Sequence, residues 1–387
     1  MVHLLVTLLI IASVSGVAAR RLVFVGSYSN EIPIFELDGS GDLSLVTSVQ
    51  DEHLNNPSWL AMHPSKKYIY ALSEVDTFNG GGSVSSYRIG ESGTDFAFMN
   101  EVPSYGPFPC HMAVDPEGKF LFVSNYGGGN MAVFRILESG QVGKLTQVVN
   151  HDLAAGAHVH EAIFGQNTNI VQVMDLGLNE IYQYHFDSTT GRLGVPVDPQ
   201  KAIVKLPDGS GPRHLINHPY LNISIIISEL DSTVSCLEYD KNSGFIGEVL
   251  TTVSTLMPRE SAADMAAAEI QLSADGVHLF ASNRDVSEPN KHRSSISVFK
   301  LSSSQESRCT ITPVLQQASS LGIHPRHFAL TYSSEGAREQ LLLIANRDSN
   351  NIVTRRVNED TGLIDQAGKI CDNTVLSAPT QVLIVEL

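Results

Sequence analysis

The sequence has few charged residues and few basic ones in particular. Charged residues make up 17% of the chain, and 25 Lys and Arg stand against 41 Asp and Glu, for a net charge of −16. Nucleic acids and anionic membrane surfaces bind basic proteins, so this balance argues against both as partners. With 42% hydrophobic residues, the composition is nevertheless that of a globular protein rather than a disordered one.

The fingerprints of several common enzyme classes are also missing. No GxSxG nucleophile motif, P-loop or dinucleotide-binding motif stands in the strand–turn–helix context that each needs. Beyond the N-terminus, no apolar stretch is long enough to cross a membrane. These absences exclude the familiar serine-hydrolase, nucleotide-binding and membrane-spanning architectures.

The N-terminus has the pattern of a secretory signal peptide. Residues 1–19 contain no Lys, Arg, Asp or Glu, are apolar from Leu4 to Ala12, and end in the small residues Gly16-Val17-Ala18-Ala19. We therefore expect cleavage near Ala19 and a secreted mature chain, residues 20–387, without a membrane attachment. An uncleaved anchor is the alternative, although the apolar part is short for a membrane span.

A unit of short apolar strands recurs along the chain. In one copy, Gly211-Pro212-Arg213-His214 begins a strand, and Ile223–Ser228 and Thr233–Tyr239 are the next two. Apolar, β-branched runs of this length predict buried strands. The second strands of the copies end at Ser27, Ser73, Asn125, Asp175, Glu229, Asn283 and Asn346. These seven copies are mostly spaced about 50 residues apart, which is typical of four-stranded propeller blades.

The first copy lacks its first strand, and the end of the chain supplies a candidate for it. Thr380 to Leu387 has the same apolar pattern as the first strands of the other copies. The C-terminus would complete the N-terminal blade and close the ring, which removes an exposed strand edge. The predicted fold is all-β: a single seven-bladed β-propeller over residues 20–387, with four antiparallel strands per blade.

Cysteine is scarce, with four residues in the chain. An even number in a secreted protein permits disulfides. Cys309 and Cys371 fall in the predicted outermost strands of the last two full blades, so we hypothesise a disulfide between them. Cys110 and Cys236 are then expected to be buried free thiols. One glycosylation sequon, Asn222-Ile223-Ser224, lies where a turn enters a strand, and we predict Asn222 as a possible glycan acceptor.

Arginine and histidine concentrate at two positions of the repeat. In a blade, the first strand begins on the face where the second strand ends, so both positions lie around one mouth of the central channel. They hold His111, His158, His160, Arg213, His214, Arg284, Arg326, His327 and Arg347, with the carboxylates Glu74, Asp175, Glu229 and Glu269. Guanidinium groups pair with carboxylate or phosphate through two hydrogen bonds, so this mouth is predicted to bind a small anion. The alternative is that the charges only neutralise one another inside a polar channel.

A metal site is a weaker interpretation of the same residues. His158 and His160 are two residues apart on a predicted strand and share a face, so they could hold a metal together with Glu229. No cluster of carboxylates accompanies them, which favours acid–base or structural histidines. We therefore expect neither a metal nor another cofactor.

Several of these motifs together resemble a known family. They are Gly211-Pro212-Arg213-His214, Glu229-Leu230, His158-Val159-His160, Asp175-Leu176-Gly177, Ala268-Glu269-Ile270, Ser282-Asn283-Arg284 and Asp360-Thr361-Gly362-Leu363. Their order and spacing, over essentially the whole mature chain, are similar to those of the lactonase family of seven-bladed propellers. That family includes bacterial 6-phosphogluconolactonases and fungal carboxy-cis,cis-muconate lactonizing enzymes.

The resemblance implies a reaction class and a set of site residues. By motif, the proposed catalytic set of the fungal cyclases matches His160, Glu229, Arg213 and Arg284. The remaining channel residues are expected to bind substrate: His111, His158, His214, Asp175, Arg326, His327 and Arg347. The expected function is hydrolysis of a small anionic lactone by a 6-phosphogluconolactonase-like enzyme, with His and Glu in acid–base roles and Arg binding the anion.

Two other functions fit the same residues. A muconate-cyclase type of isomerase would also need arginines that hold carboxylates and a group that moves one proton. A non-catalytic secreted propeller could instead bind protein or glycan on this face. A secreted enzyme would meet a sugar lactone or a product of aromatic degradation rather than a cytosolic intermediate.

Overall fold

The computed structural model describes residues 20–166, 168–258, 260–288, 293–303, 308–331 and 339–387. The predicted signal peptide lies outside these described residues. Within them the chain forms 29 strands and four short 3₁₀ helices, and no α-helix. None of the described segments is a helix long and apolar enough to span a membrane.

The strands form seven antiparallel sheets, the blades of a propeller. Blade 1 contains Arg21–Ser27 (β1), Glu31–Leu37 (β2) and Leu43–Gln50 (β3). Blade 2 contains Leu60–Met62 (β4), Tyr68–Phe78 (β5), Gly81–Ile89 (β6) and Phe96–Pro103 (β7). Blade 3 contains Pro109–Val114 (β8), Phe120–Asn125 (β9), Asn130–Ile136 (β10) and Val142–Asn150 (β11). Blade 4 contains Val159–Phe164 (β12), Ile170–Asp175 (β13), Glu180–Asp187 (β14), Arg192–Gly194 (β15) and Ile203–Lys205 (β16).

The remaining blades follow the same order. Blade 5 contains Pro212–Asn217 (β17), Ile223–Ser228 (β18), Thr233–Tyr239 (β19) and Ile246–Ser254 (β20). Blade 6 contains Met265–Leu272 (β21), His278–Asp285 (β22), Ser295–Ser302 (β23) and Thr310–Ser319 (β24). Blade 7 contains Pro325–Leu330 (β25), Glu339–Asn346 (β26), Asn351–Asn358 (β27) and Lys369–Cys371 (β28). The last strand is Pro379–Glu386 (β29), and the 3₁₀ helices are Leu153–Ala155, Pro199–Lys201, Ala262–Asp264 and Arg347–Ser349.

The last strand closes the ring, as the sequence predicted. β29 pairs antiparallel with β1, with Val385 opposite Leu22 and Val382 opposite Val25, so it is the innermost strand of blade 1. Blade 4 departs from four strands because two short strands, β15 and β16, pair with successive parts of β14. The seven-bladed propeller prediction is therefore confirmed.

The core consists of apolar layers between neighbouring blades. In the layer between blades 2 and 3, Tyr70 and Leu72 pack with Leu121 and Val123. Sheets packed face to face bury both sides of the inner strands, so β9 and β18 are buried at every residue and have nearly continuous apolar sequences. The rigid rings of inner strands that result hold the channel residues in place.

The disulfide hypothesis was wrong in its pairing. Cys309 is bonded to Cys236, with 6.5 Å between their Cα atoms, and Cys371 is a free thiol. Cys309 packs in the apolar layer between blades 5 and 6, where β19 supplies Cys236, whereas Cys371 packs in the layer between blades 7 and 1. Blades 6 and 7 lie between these two apolar layers, so one disulfide cannot bridge them. Cys110 is buried and free, as predicted.

Candidate functional site

A repeated backbone irregularity delivers the polar residues to the channel. The pairing of the first and second strands shifts register at the entrance of six innermost strands: β8, β12, β17, β21, β25 and β29. In β17 the shift lies between Pro212 and His214, so Arg213 is the extra residue. A bulge overrides the usual alternation of side chains. Arg213 and His214 can therefore both face the channel although they are adjacent.

Aligning the blades by strand register gives three rings of seven residues each. We call the mouth where the second strands end the upper mouth. The upper ring is the residue of each blade that aligns with Glu229, at or just past the end of the second strand: Tyr28, Glu74, Tyr126, Leu176, Glu229, Arg284 and Arg347. The middle ring is the residue at the bulge position: Thr380, Ser58, Cys110, His160, Arg213, Ala268 and Arg326. The lower ring follows it: Gln381, Trp59, His111, Glu161, His214, Glu269 and His327.

Glu229 joins two buried arginines from neighbouring blades. Its Oε2 atom accepts a hydrogen bond from Arg213 Nε at 3.0 Å and lies 2.9 Å from Arg284 Nη2. Backbone carbonyls fix the same guanidinium groups: Arg213 Nη1 donates to Ala268 O, and Arg284 Nη2 donates to Ala267 O, both at 2.8 Å. Burial alone would raise the pKa of Glu229, but Arg284 and Arg213 outweigh it and the pKa lies below its usual value. The carboxylate stays ionised and holds both cations in place.

A second charged group lies across the same mouth. Tyr28 Oη donates to Glu74 Oε1 at 2.9 Å, and Arg326 Nη2 lies 3.9 Å from the same oxygen. The guanidinium carbon of Arg326 is 5.6 Å from the centre of the Tyr28 ring, within the range of a cation–π contact. Burial is the main cause that raises the pKa of Tyr28 to about 12, so its hydroxyl remains a donor. Three guanidinium groups, those of Arg213, Arg284 and Arg326, thus share two carboxylates.

His160 is the histidine of the middle ring. Its ring is 5.1 Å from that of His214 and meets the Tyr126 ring edge-on at 6.0 Å, between ring centres. Its Nδ1 atom is buried and has no hydrogen-bond partner. Burial, and then the charge of Arg213, hold the pKa of His160 well below its usual value. The imidazole is therefore neutral and has a nitrogen ready to accept a proton.

The lower ring forms an uncharged layer beneath the arginines. The Trp59 ring lies 4.5, 5.7 and 5.4 Å from those of His111, His214 and His327, between ring centres. Burial lowers the pKa of His111 and His327 to about 3 and raises that of Glu161 to about 8. Arg213 Nη1 lies 3.2 Å from His214 Nε2 and so rests on this layer. Neutral imidazoles and protonated carboxyls leave the positive charge above them uncompensated from below.

Three predicted site residues lie elsewhere or make other contacts. Asp175 is fully buried: it lies 2.6 Å from His151 Nδ1 and accepts a hydrogen bond from the His158 amide at 2.8 Å. Asp175 is the last residue of β13 as Ser228 is of β18, so its equivalent in blade 5 is Ser228 rather than Glu229. Its role in substrate binding stays a prediction. His158 stacks on Tyr126 with ring centres 4.4 Å apart, and Arg347 pairs with Asp348 at the rim.

The arrangement does not favour a metal. Within the described residues, no three His, Cys, Asp or Glu side chains are placed to hold a metal ion together. Two of the three residues considered for one are engaged separately, since His158 stacks on Tyr126 while Glu229 holds the two arginines, which leaves His160 alone.

Other channel residues were not selected from the sequence. Tyr28, Tyr126 and Trp59 are aromatic residues that carry no full charge, and the carboxyl of Glu161 was not assigned to the site. The sequence does contain a signal for such residues: two adjacent polar residues occur where several first strands begin, as in His160-Glu161 and Arg326-His327. In a regular strand such a pair would point to opposite faces, so its recurrence indicates a bulge.

The chain is similar to propeller lactonases along almost its whole length. Residues 22–383 match the family described as "Lactonase, 7-bladed beta-propeller". A 6-phosphogluconolactonase of Formosa agariphila is 29% identical over 89% of this chain and 94% of its own, and one of Bacillus subtilis is 26% identical over 89% and 93%. The solved structure of a periplasmic gluconolactonase of Pseudomonas aeruginosa has the same fold, with a TM-score of 0.80, 22% identity and coverage of 95% of this chain and 99% of that one. The chain therefore belongs to the lactonase family of seven-bladed β-propellers.

Proposed function

We propose that this protein hydrolyses a small anionic sugar lactone at the upper mouth, as a 6-phosphogluconolactonase-like enzyme. One observation carries the proposal: three guanidinium groups, those of Arg213 and Arg284 buried and that of Arg326 15% exposed, share only two carboxylates, in a chain with a net charge of −16. Burying cations in excess is costly unless an anion is meant to join them. The similarity to 6-phosphogluconolactonases supplies the lactone.

His160 is the proposed general base. Because it is neutral and its Nδ1 atom is unpartnered, it can take a proton from a water molecule as the water attacks the lactone carbonyl. An anionic substrate would raise the pKa of this imidazole toward the working range, because it offsets the arginines that depress it. Glu229 is a poorer base, since its charge is already engaged by Arg213 and Arg284.

The arginines would stabilise the charge that develops on the carbonyl oxygen. Attack by water forms a new C–O bond and a tetrahedral oxyanion, and nearby guanidinium donors favour that charge over the neutral carbonyl. Collapse of the intermediate breaks the ring C–O bond, and the protonated His160 returns its proton to the departing ring oxygen. The products are a carboxylate and a free hydroxyl group, and no cofactor is required.

The site of action follows from the N-terminal sequence. The predicted signal peptide, together with the fold shared with a periplasmic gluconolactonase, supports an enzyme that works outside the cytoplasm. We propose a sugar lactone of that compartment as the substrate, whether its anionic group is a phosphate or a carboxylate. Secretion of the tagged full-length chain, followed by N-terminal sequencing, tests the cleavage near Ala19.

The function is tested with a panel of lactones on the mature protein. Gluconolactone, its 6-phosphate and muconolactones are assayed above their uncatalysed rates. Relative to the parent, His160→Gln and Arg284→Met are expected to lower kcat/KM about 100-fold or more, the range for loss of an acid–base group or an oxyanion donor. The control is Arg192→Met, which removes an exposed arginine outside the channel.

Three results would refute the proposal. The first is a mature protein that is no faster than buffer on every lactone. The second is His160→Gln and Arg284→Met variants that keep full activity. The third is an equal loss in Arg192→Met. Interconversion of a muconolactone and its open-chain acid, without sugar-lactone hydrolysis, would instead assign the cyclase reaction.

A further inference from the structure

A second cavity opens at the opposite mouth of the channel. Its volume is about 530 Å³, and its rim is formed by the turns at Pro219-Tyr220 and Ser273-Ala274, which connect first to second strands. Lower-ring residues from five blades line its inner end: Trp59, Glu161, His214, Glu269 and His327. This lower cavity is large enough for a small organic molecule.

The lower cavity is separate from the upper mouth. The Trp59 ring contacts those of His214 and His327, and Arg213 rests on His214 from above. The lower ring is therefore the floor of the upper site and the inner end of the lower cavity. A ligand in the lower cavity would meet the lower-ring residues without reaching Glu229.

The lining of the lower cavity has acidic side chains where the upper mouth has basic ones. Among the described residues that line it are two carboxyl side chains, Glu161 and Glu269, and neither a lysine nor an arginine. Trp59 adds a half-buried indole, and Leu215 and Ile270 add apolar surface. An aromatic face beside carboxyl groups is the chemistry that recognises ammonium compounds.

Hydrogen bonds hold the two carboxyls at the inner end of the cavity. Glu161 Oε2 accepts a hydrogen bond from the Leu215 amide at 2.7 Å, and its Oε1 lies 3.5 Å from His111 Nε2. Glu269 Oε2 lies 3.0 Å from His214 Nδ1 and 3.5 Å from His327 Nε2. Both side chains are thus fixed by neutral partners rather than by ion pairs.

We propose that the lower cavity is a second binding site, which takes a small organic cation with an apolar body, such as an amine or a quaternary ammonium compound. The cation would lie against Trp59 and between the two carboxyls. Its source, whether a free metabolite or a side chain of another molecule, does not change this chemistry.

Proton release is the signature that such binding would leave. Burial raises the pKa of Glu161 to about 8, so this carboxyl is mostly protonated at pH 7, and burial also raises the pKa of Glu269 well above its usual value. A bound cation favours the ionised carboxylate, and each carboxyl that ionises releases one proton. The charged groups near them are Arg213, behind His214, and Lys241 at the rim, whose ammonium group donates to the Pro219 carbonyl. The neutral histidines of the lower ring face the same carboxyls.

The test uses two probes that differ in charge. Benzyltrimethylammonium has a permanent charge and cannot itself titrate, and benzyl alcohol is its neutral counterpart. Calorimetric titrations at pH 7 in two buffers of different ionisation enthalpy report affinity and protons released together. The emission of Trp59, the only tryptophan of the chain, reports occupancy of the cavity. We expect saturable binding of the cation, release of between one and two protons, and a change in Trp59 emission.

Variants at the rim give a matched control on charge. Ala274 is exposed and lines the cavity, so Ala274→Arg and Ala274→Glu alter its charge without touching the lower ring. We expect Ala274→Arg to weaken binding of the cation about tenfold and Ala274→Glu to preserve or strengthen it, because the two added charges have opposite signs. Glu269→Gln is expected to lower both the affinity and the number of protons released.

Several outcomes would overturn the proposal. They are no saturable binding of the cation, equal binding of benzyl alcohol, binding without proton release, or equal effects of Ala274→Arg and Ala274→Glu. If Glu269→Gln does not fold, the Ala274 pair still decides the question. Lactone hydrolysis by both Ala274 variants is expected to match the parent, so failure of this proposal is distinguishable from failure of the proposed function.

Discussion

Replacing Glu161 with glutamine tests the state of the carboxyl beneath the arginines. The side chain is 6% exposed, and burial is the largest cause that raises its pKa from 4.5 to about 8. A glutamine has the shape of the protonated acid. Its oxygen can accept the hydrogen bond from the Leu215 amide, and its NH₂ group can donate to His111. The substitution therefore removes only the ability to ionise.

The sign of the effect follows from proton linkage. Between pH 4.5 and 8 the unfolded chain has lost this proton, while the folded chain keeps it. The free energy of unfolding of the parent therefore falls as pH rises through this range. A shift of about 3.5 pKa units corresponds to about 5 kcal/mol, at about 1.4 kcal/mol per unit. Glutamine does not titrate, so Glu161→Gln is expected to match the parent near pH 4.5 and to be more stable by about 3 to 5 kcal/mol at pH 8.

Urea denaturation from pH 4.5 to 8.5 measures this difference. The lower-ring histidines titrate in both proteins, so their contribution cancels when the two curves are subtracted. Glu138→Gln, at an exposed position, is the control and is expected to show no rise with pH. The reasoning is refuted if the stability difference between Glu161→Gln and the parent is flat across this range. It is also refuted if Glu161→Gln is less stable than the parent at pH 8.

Three further predictions concern the disulfide, the closing strand and the tryptophan. Cys309→Ser should lower the free energy of unfolding by about 4 kcal/mol, because a cross-link over 73 residues is lost. Cys371→Ser should change it by less than about 1 kcal/mol. Urea denaturation of the oxidised proteins measures both differences. Deleting residues 379–387 should expose the edge of β1 and give aggregates on size-exclusion chromatography, whereas a monodisperse, active product would contradict closure. Gluconate or phosphate bound at the upper mouth should shift the emission of Trp59, because Arg213 contacts His214 and His214 contacts Trp59. Unchanged emission at saturation would show that binding at the upper mouth does not alter the lower ring.

The fold was predictable because each repeat contains buried strands that are visible in the sequence as apolar runs. Seven second strands, each a buried run ending in a small or polar residue, set the number of blades, and the orphan strand at Thr380 set the closure. The site was predictable in outline, since Arg213, Glu229 and Arg284 do meet. Their roles in catalysis and that of His160 stay predictions.

The rest could not be inferred because it depends on register and on packing between blades. The alignment of the repeats made Glu229 equivalent to Asp175. The residue of blade 5 that is equivalent to Asp175 is instead Ser228, one position before Glu229. An offset of one residue in the alignment moves a side chain from the channel into the blade, and this offset placed Asp175 among the channel residues. The prediction of the disulfide failed for a related reason, because strand order alone does not say whether the Cys309 side chain faces blade 5 or blade 7.

The last strand also bears on how the molecule is made. The Gln381 carboxamide accepts a hydrogen bond from the Leu60 amide at 2.7 Å and donates to its carbonyl at 3.2 Å, and Thr380 Oγ1 donates to the Ser58 carbonyl at 2.8 Å. These bonds hold the backbone on both sides of Trp59. The ribosome makes β29 after all the other described strands of the ring, so a growing chain cannot fix the backbone around Trp59 until this strand has emerged. A chain that terminates before β29 should therefore lack the ordered channel wall around Trp59.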